Sequence, residues 1–114
     1  MADNVVYLDF DDGKKRVMNN AKLYVKLLTK FRDGSKLDEL EAAVIAGDME
    51  KAKAEAHTIK GVAANLSMPE LANQSLELEN QIKAGSIDPN QMETIKTVFA
   101  ATLQEVNKVI AEND

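Results

Sequence analysis

Residues 48–66, DMEKAKAEAHTIKGVAANL, decide the fold of this chain. Their apolar side chains recur at alternating steps of three and four residues, the spacing that places them on one face of an α-helix. Asp48 stands just before this pattern and is a good N-cap residue, because its carboxylate can accept a free backbone N–H of the first turn. The predicted helix therefore has one core face, formed by Met49, Ala52, Ala56, Ile59, Ala63 and Leu66.

The sequence before this stretch predicts two further helices with an interruption between them. The first has its apolar face at Tyr24, Leu27, Leu28 and Phe31, and it is expected to start near residue 20. A break is expected over residues 32–35, since glycine is a poor residue inside a helix and Ser35 with Asp38 can cap a new one. The second has its apolar face at Leu37, Leu40, Val44 and Ile45 and is expected to end at Gly47.

Residues 1–19 are expected to form an irregular N-terminal segment with one short helix, from Asp12 to Met18. Acidic residues suit the first turn of a helix, where the backbone dipole is positive. The apolar side chains before this helix are expected to pack on the core, and they are Val5, Val6, Leu8 and Phe10.

Two more helices are predicted after the quoted stretch. The first starts with a capping box formed by Ser67 and Glu70, has Pro69 in its first turn, and ends at Gly85. Residues 88–91, DPNQ, repeat this start for the last helix. The core residues expected in the two helices are Leu71, Leu78, Ile82, Met92, Ile95, Phe99, Thr102, Leu103, Val106 and Ile110.

Four substantial amphipathic helices joined by short turns can bury their apolar faces together as a bundle. The predicted fold class is all-α, an antiparallel four-helix bundle with a short N-terminal helix. A chain of 114 residues is the usual size of one domain, so residues 1–114 are expected to form one, with the bundle over residues 20–112.

The composition excludes several classes of function. The formal net charge of -5, without a dense cluster of lysines, disfavours nucleic-acid binding, which needs a basic face. The absence of cysteine excludes disulfides and thiolate metal sites. No apolar run reaches the length of a membrane span, and the first ten residues do not resemble a secretory signal. A cytoplasmic protein without membrane contact is therefore expected.

One face of the quoted helix carries an unusual set of residues. At about 100° per residue, Lys53, His57, Lys60, Gly61 and Ala64 share this face, beside the core stripe. His57 is the only histidine, and a neutral imidazole has a free nitrogen lone pair that can attack phosphorus. A lysine one turn away can bind phosphoryl oxygens, and two residues almost without side chains leave room for a partner's backbone.

Residues 56–66, AHTIKGVAANL, resemble the signature of histidine phosphotransfer (HPt) domains. Further similarity lies in residues 9–16, in the first long helix, in the turn at residues 47–48 and in residues 78–85. The resemblance implies that His57 is phosphorylated on Nε2, that Lys60 supports the phosphoryl group and that Gly61 gives access. It also implies that Glu79 can accept a hydrogen bond from Nδ1 of His57. Val62 and Ser67 depart from the pattern, since a small polar residue and a glycine are common there.

The function expected from this resemblance is a phosphorelay, in which His57 takes a phosphoryl group from one receiver aspartate and gives it to another. The partners implied are response-regulator receiver domains and a hybrid sensor histidine kinase, with Lys53 and Lys83 on a rim that attracts an acidic partner. Without a nucleotide-binding motif the chain is expected to be a phosphocarrier rather than a kinase. It is also expected to be a monomer. No cofactor or metal is expected in the protein, and any Mg²⁺ would belong to the receiver. The alternative is a noncatalytic helical adaptor that docks receivers or kinases without phosphate turnover.

Overall fold

The computed structural model describes residues 5–34 and 37–113, and within these ranges the chain forms six α-helices and no β-strand. The helices are α1 (Phe10–Arg16), α2 (Ala21–Gly34), α3 (Asp38–Ala46), α4 (Met49–Asn65), α5 (Pro69–Ala84) and α6 (Gln91–Glu112). The prediction of an all-helical fold is therefore confirmed. Two separate helices are found here, as predicted, but residues 32–34, which were expected to lie in the break, still belong to α2, which ends at Gly34, and α3 begins at Asp38. Ser35, which was predicted to take part in capping α3, lies outside the described residues.

Helix α4, the helix of the quoted stretch, lies between two neighbours. It packs against α3 and against α5, while α5 also packs against α6, α6 against α2, and α2 against α1. The fully buried residues of α4 include three alanines, and such small side chains let the neighbouring helices come close. The buried residues within α4 are Ala52, Ala56, Ile59 and Ala63. Four of the six residues predicted for the core face of the quoted stretch are thus buried within the helix, and Leu66 is buried just after it.

Helices α3 and α5 end, and helix α4 begins, at the predicted residues. Gly47 and Gly85 have φ angles of 76° and 78°, in the left-handed region that glycine adopts without strain. Asp48 caps α4, because its Oδ1 accepts a hydrogen bond from the backbone N–H of Lys51 at 3.2 Å. Gly47 and Asp48 therefore fix where α3 ends and where α4, the helix that carries His57, begins.

The N-terminal segment differs from the prediction. Helix α1 begins two residues earlier than expected, because Asp9 caps it by accepting the backbone N–H of Asp12 at 3.0 Å. It ends at Arg16, since the backbone turns left-handed at residues 18 and 19. Val5 and Val6 are exposed, so the prediction that they pack on the core was wrong.

Ser67 does not cap α5, contrary to the capping box predicted for residues 67–70. Its φ angle is 61°, whereas an N-cap residue is usually extended, and the N-cap position falls on Met68. The Ser67 hydroxyl instead donates to Oδ2 of Asp12 at 2.6 Å and joins the N-terminal segment to the turn after α4. Pro69 is the first residue of α5, as predicted.

Two other expectations need correction. Helix α6 begins at Gln91, and the Asp88 side chain accepts the backbone N–H of Asn90 at 2.8 Å instead of capping the helix itself. Ile45 is 79% exposed, although it was predicted to belong to the core. Helix α3 has only nine residues, and its buried positions are Leu40 and Ala43, so Ile45 falls on the side away from α4.

The contact between Asp12 and Ser67 predicts a pH dependence of stability. The hydrogen bonds from the Ser67 hydroxyl and from Nε of Arg16 hold the pKa of Asp12 below its ordinary value of 3.8. The unfolded chain therefore binds a proton at a higher pH than the folded one, and the stabilisation is lost as the pH falls through the folded pKa. Urea unfolding at neutral pH and at about pH 3 should show a smaller acid-induced loss in Asp12→Asn than in the wild type. Asp11→Asn is the matched control, and an equal loss in wild type and Asp12→Asn would contradict this role of Asp12.

Candidate functional site

His57 lies on the outer face of α4, next to the buried Ala56. Its side chain is 66% exposed, so the ring is open to a partner while the helix beneath it is held by the core. The prediction that this face points outward is confirmed for His57, Gly61 and Ala64, which are all exposed. The ring is therefore accessible, and the residue next to it in the chain is packed in the core.

Glu79 reaches the His57 ring from the neighbouring helix α5. It is a buried carboxylate, with only 7% of its side chain exposed, and its Oε2 lies 3.2 Å from Nδ1 of His57. Its other oxygen, Oε1, accepts a hydrogen bond from Nζ of Lys60 at 3.0 Å. Nζ of Lys83, one turn further along α5, lies 3.7 Å from Oε2. The packing of α4 on α5 thus gathers one carboxylate, two lysines and the histidine.

The charge of Glu79 decides which nitrogen of His57 is free. The hydrogen bond from Lys60 holds the pKa of Glu79 below its ordinary value, although burial acts in the opposite direction. An ionised carboxylate can only accept hydrogen bonds, so the contact with His57 requires a proton on Nδ1. In the neutral ring this leaves the lone pair on Nε2, the nitrogen that points away from Glu79. The geometry thus favours the tautomer with Nε2 as a nucleophile.

The flank of α4 beside His57 is bare at Gly61. A Cβ atom at this position would meet no other heavy atom within 4 Å, so the glycine is not required for packing of this chain on itself. Ala64 is exposed one turn further on, and Lys53 lies half-buried one turn before His57 on the same helix. Lys53 and Ala64 therefore border the site, whereas Lys60 and Lys83 take part in it.

Substitutions of Gly61 should affect the stability of the protein and the reactivity of His57 differently. Gly61→Ala is expected to raise the free energy of unfolding by up to about 1 kcal/mol, because alanine is the better residue inside a helix and the space is open. Gly61→Gln should leave the protein folded and slow any reaction of His57 that needs a close partner by about tenfold or more, as one misplaced contact can. Thermal unfolding and transfer assays would measure the two effects. Lys51→Gln, on another exposed turn of α4, is the control, and normal transfer by Gly61→Gln would contradict the need for access.

A groove of about 720 Å³ lies between α4, α2 and the end of α1, and neither His57 nor Glu79 lines it. Its walls include apolar side chains from α2 and α4, and two cationic side chains, Arg16 and Lys30, lie among them. The apolar residues are Val17, Leu27, Phe31, Val62 and Leu66. Leu27 and Phe31 were predicted as core residues, whereas Arg16 and Lys30 were not predicted as site residues. The groove could have been anticipated from Leu27 and Lys30, which are three residues apart and lie at the edge of the apolar face of α2.

Within residues 5–34 and 37–113, no group of three or more histidine and acidic side chains is placed to hold a metal ion. None of the helices described above combines the length and the apolar character that crossing a bilayer requires.

Comparison with known protein families identifies the family to which this helical chain with an exposed histidine belongs. The family model of the Hpt domain matches residues 27–108, a range that contains α4 and α5 with His57, Lys60, Gly61, Glu79 and Lys83. The chain belongs to the Hpt domain family, and the resemblance seen in the sequence is confirmed. At the level of the family, this means a phosphocarrier module of two-component phosphorelays. Searches of curated proteins and of solved structures gave no match.

Proposed function

We propose that His57 receives a phosphoryl group from the aspartyl phosphate of one receiver domain and passes it to the aspartate of another. Nε2 of His57 attacks the phosphorus atom, a P–N bond forms, and the P–O bond to the aspartate breaks as the carboxylate leaves. The second transfer is the reverse reaction with a different receiver. The observation that carries this proposal is the exposed ring whose Nδ1 faces the buried carboxylate of Glu79 at 3.2 Å.

Glu79 is the positioning residue in this proposal. As the P–N bond forms, the ring still holds its Nδ1 proton and therefore gains positive charge. An ionised carboxylate at hydrogen-bond distance stabilises that charge and holds the ring in one orientation. Because Glu79 belongs to α5, correct packing of two helices is needed before His57 is fully reactive.

The remaining site residues have supporting roles. Lys60 binds the phosphoryl oxygens with its ammonium group, and Gly61 and Ala64 let the receiver's backbone come close to α4. Lys53 and Lys83 add positive charge around His57 in a protein whose net charge is negative, which favours the approach of an acidic receiver surface. The groove with Arg16 and Lys30 can accept an apolar side chain of the same receiver.

The partners are response-regulator receiver domains and, at the start of the relay, the receiver of a hybrid sensor histidine kinase. Catalysis is completed in each complex, because the chain carries no nucleotide-binding motif of its own. We infer that the protein works as a cytoplasmic monomer, since the site needs no second copy of the chain.

We also infer an antiparallel four-helix bundle for the single domain. The helix contacts run in one series, in which α3 packs on α4, α4 on α5, α5 on α6 and α6 on α2. Because α2 and α3 follow each other in the chain, they can form one side of the bundle together, with α1 added at the end of α2. This arrangement supports the boundaries predicted for one domain over residues 1–114.

The test of the proposed function is transfer from a radiolabelled receiver. The protein would be mixed with a purified receiver domain that carries labelled aspartyl phosphate, and both bands would be followed over time. Label should move to this chain and become stable to alkali and labile to acid, as expected for phosphohistidine and not for an acyl phosphate. Label that stays on every receiver tested, although the proteins bind each other, would favour the noncatalytic adaptor and contradict the proposal.

Replacing Glu79 by glutamine tests its positioning role. Glu79→Gln keeps the shape but removes the charge, so transfer should slow by about 10- to 100-fold, the loss expected for one hydrogen bond to a charged group. The ¹⁵N chemical shifts of His57 should show a smaller fraction of the Nδ1–H tautomer, which a general loss of stability would not produce. Glu77→Gln, an exposed change on the same helix, is the control. Unchanged tautomer fractions and rates in Glu79→Gln would contradict the role.

A further inference from the structure

The two lysines that approach Glu79 differ in how they are held. Lys60 donates a 3.0 Å hydrogen bond to Oε1, and its side chain is 28% exposed. Lys83 lies 3.7 Å from Oε2, beyond hydrogen-bond distance, and its side chain is 58% exposed. Lys60 is therefore the direct partner of the carboxylate, while Lys83 stands near it as a second, looser cation.

This arrangement creates a conflict for Lys60 when His57 is phosphorylated. The two ring nitrogens point away from each other, so a phosphoryl group on Nε2 lies on the side of the ring opposite to Glu79. Lys60 stands one helical turn after His57 and can reach either group, but its ammonium cannot remain fully on Glu79 while it binds the phosphoryl oxygens. If Lys60 leaves, the buried carboxylate loses its direct ionic partner, which is unfavourable unless another cation replaces it.

We propose that Lys83 takes the place of Lys60 at Glu79 when Lys60 turns to the phosphoryl group on His57. This inference rests on the proposed phosphotransfer by His57. Lys83 is four residues from Glu79 on the same helix, so a change of side-chain rotamer brings Nζ from 3.7 Å to hydrogen-bond distance. Glu79 then stays ionised and keeps its contact with Nδ1 throughout the transfer. Lys83 is a positioning residue that acts through Glu79, in addition to any part in attracting receivers.

Chemical phosphorylation tests the exchange without a receiver. Phosphoramidate would be used as the donor, so that Nε2 forms a P–N bond and the P–N bond of the reagent breaks with release of ammonia. The ¹⁵Nζ signals of Lys60 and Lys83 would be recorded before and after the reaction. Both signals should shift, and the Lys83 ammonium protons should exchange more slowly with water once they bind Glu79. A shift of Lys60 alone would overturn the exchange.

Kinetics with the same reagent give a second test. Lys83→Gln should slow phosphorylation of His57 by about three- to fivefold, the effect of one partly exposed ion pair. In a Glu79→Gln background the same change should have no further effect, because Lys83 acts through Glu79. Lys51→Gln is the control for loss of one lysine charge from the protein.

The outcomes distinguish this inference from the proposed function. Suppose that phosphohistidine forms, but that Lys83→Gln slows the reaction by the same factor in the wild type and in the Glu79→Gln background. Lys83 then acts only through its charge and the exchange is wrong, while the proposed function stands. If neither phosphoramidate nor a phosphorylated receiver modifies His57, the proposed function fails and this inference fails with it.

Discussion

Replacing His57 by glutamine is expected to abolish acceptance of phosphate from every receiver while leaving the helical fold intact. The glutamine amide can occupy a similar volume and still contact Glu79, but its nitrogen is not a nucleophile and cannot form the P–N bond. Because the His57 side chain is 66% exposed, the substitution should change the free energy of unfolding by no more than about 0.5 kcal/mol. The loss of transfer should therefore be complete and not caused by unfolding.

The measurement is transfer of label from a phosphorylated receiver, combined with circular dichroism and urea unfolding of each variant. Lys51→Gln introduces the same residue on another exposed turn of α4 and should transfer normally. Stable label on His57→Gln at the rate of the wild type would mean that another side chain carries the phosphate. Since His57 is the only histidine of the chain, that result would end the phosphohistidine hypothesis.

Replacing Gly13 by alanine should destabilise the protein by about 2–4 kcal/mol, which combines the cost of overpacking with that of a lost buried hydrogen bond. This change in the free energy of unfolding is opposite in sign to the usual one, because alanine normally stabilises a helix interior by about 1 kcal/mol relative to glycine. A Cβ atom at Gly13 would overlap Cζ, Cε1 and Oη of the buried Tyr24. The ring cannot move freely, since its hydroxyl donates to the carbonyl oxygen of Leu66 at 2.6 Å.

Urea unfolding of Gly13→Ala would measure this loss. Gly34→Ala, at the end of α2, is the matched control, because a Cβ atom there would meet nothing within 4 Å and stability should be unchanged or slightly higher. Leu66 follows the last residue of α4, so the shift of Tyr24 should also loosen the end of the helix that carries His57. A Gly13→Ala protein as stable as the wild type would show that Tyr24 is not held as the structure indicates.

The site could be read in part from α4 alone. The side chains of one helix follow a regular rotation, so the buried alanines and the outward position of His57, Gly61 and Ala64 were predictable from spacing. The burial of Glu79 was not, because an isolated acidic residue on α5 has the same local sequence whether it faces solvent or another helix. The role predicted for Glu79 came from the resemblance, and its distances to His57 and Lys60 depend on how α5 packs on α4. The ion pairs of the Glu79 carboxylate with Lys60 and Lys83 were not predicted.

The errors in the fold have a common cause. Ile45 is apolar but lies on the free side of a short helix, and Ser67 has a capping side chain but a left-handed backbone that aims it at Asp12. In both cases the local preference was real, and the tertiary contacts decided otherwise.

The sequence by itself determined the helices, most of their ends and the exposed histidine, because these follow from hydrogen bonding and periodicity within a few residues of the chain. Only the tertiary structure decided that a carboxylate 22 positions away in the chain meets the ring, that Ser67 binds Asp12, and that Tyr24 fills the space above Gly13. Such contacts depend on the angle and distance between helices, and these are set by the packing of the whole core and not by any one segment.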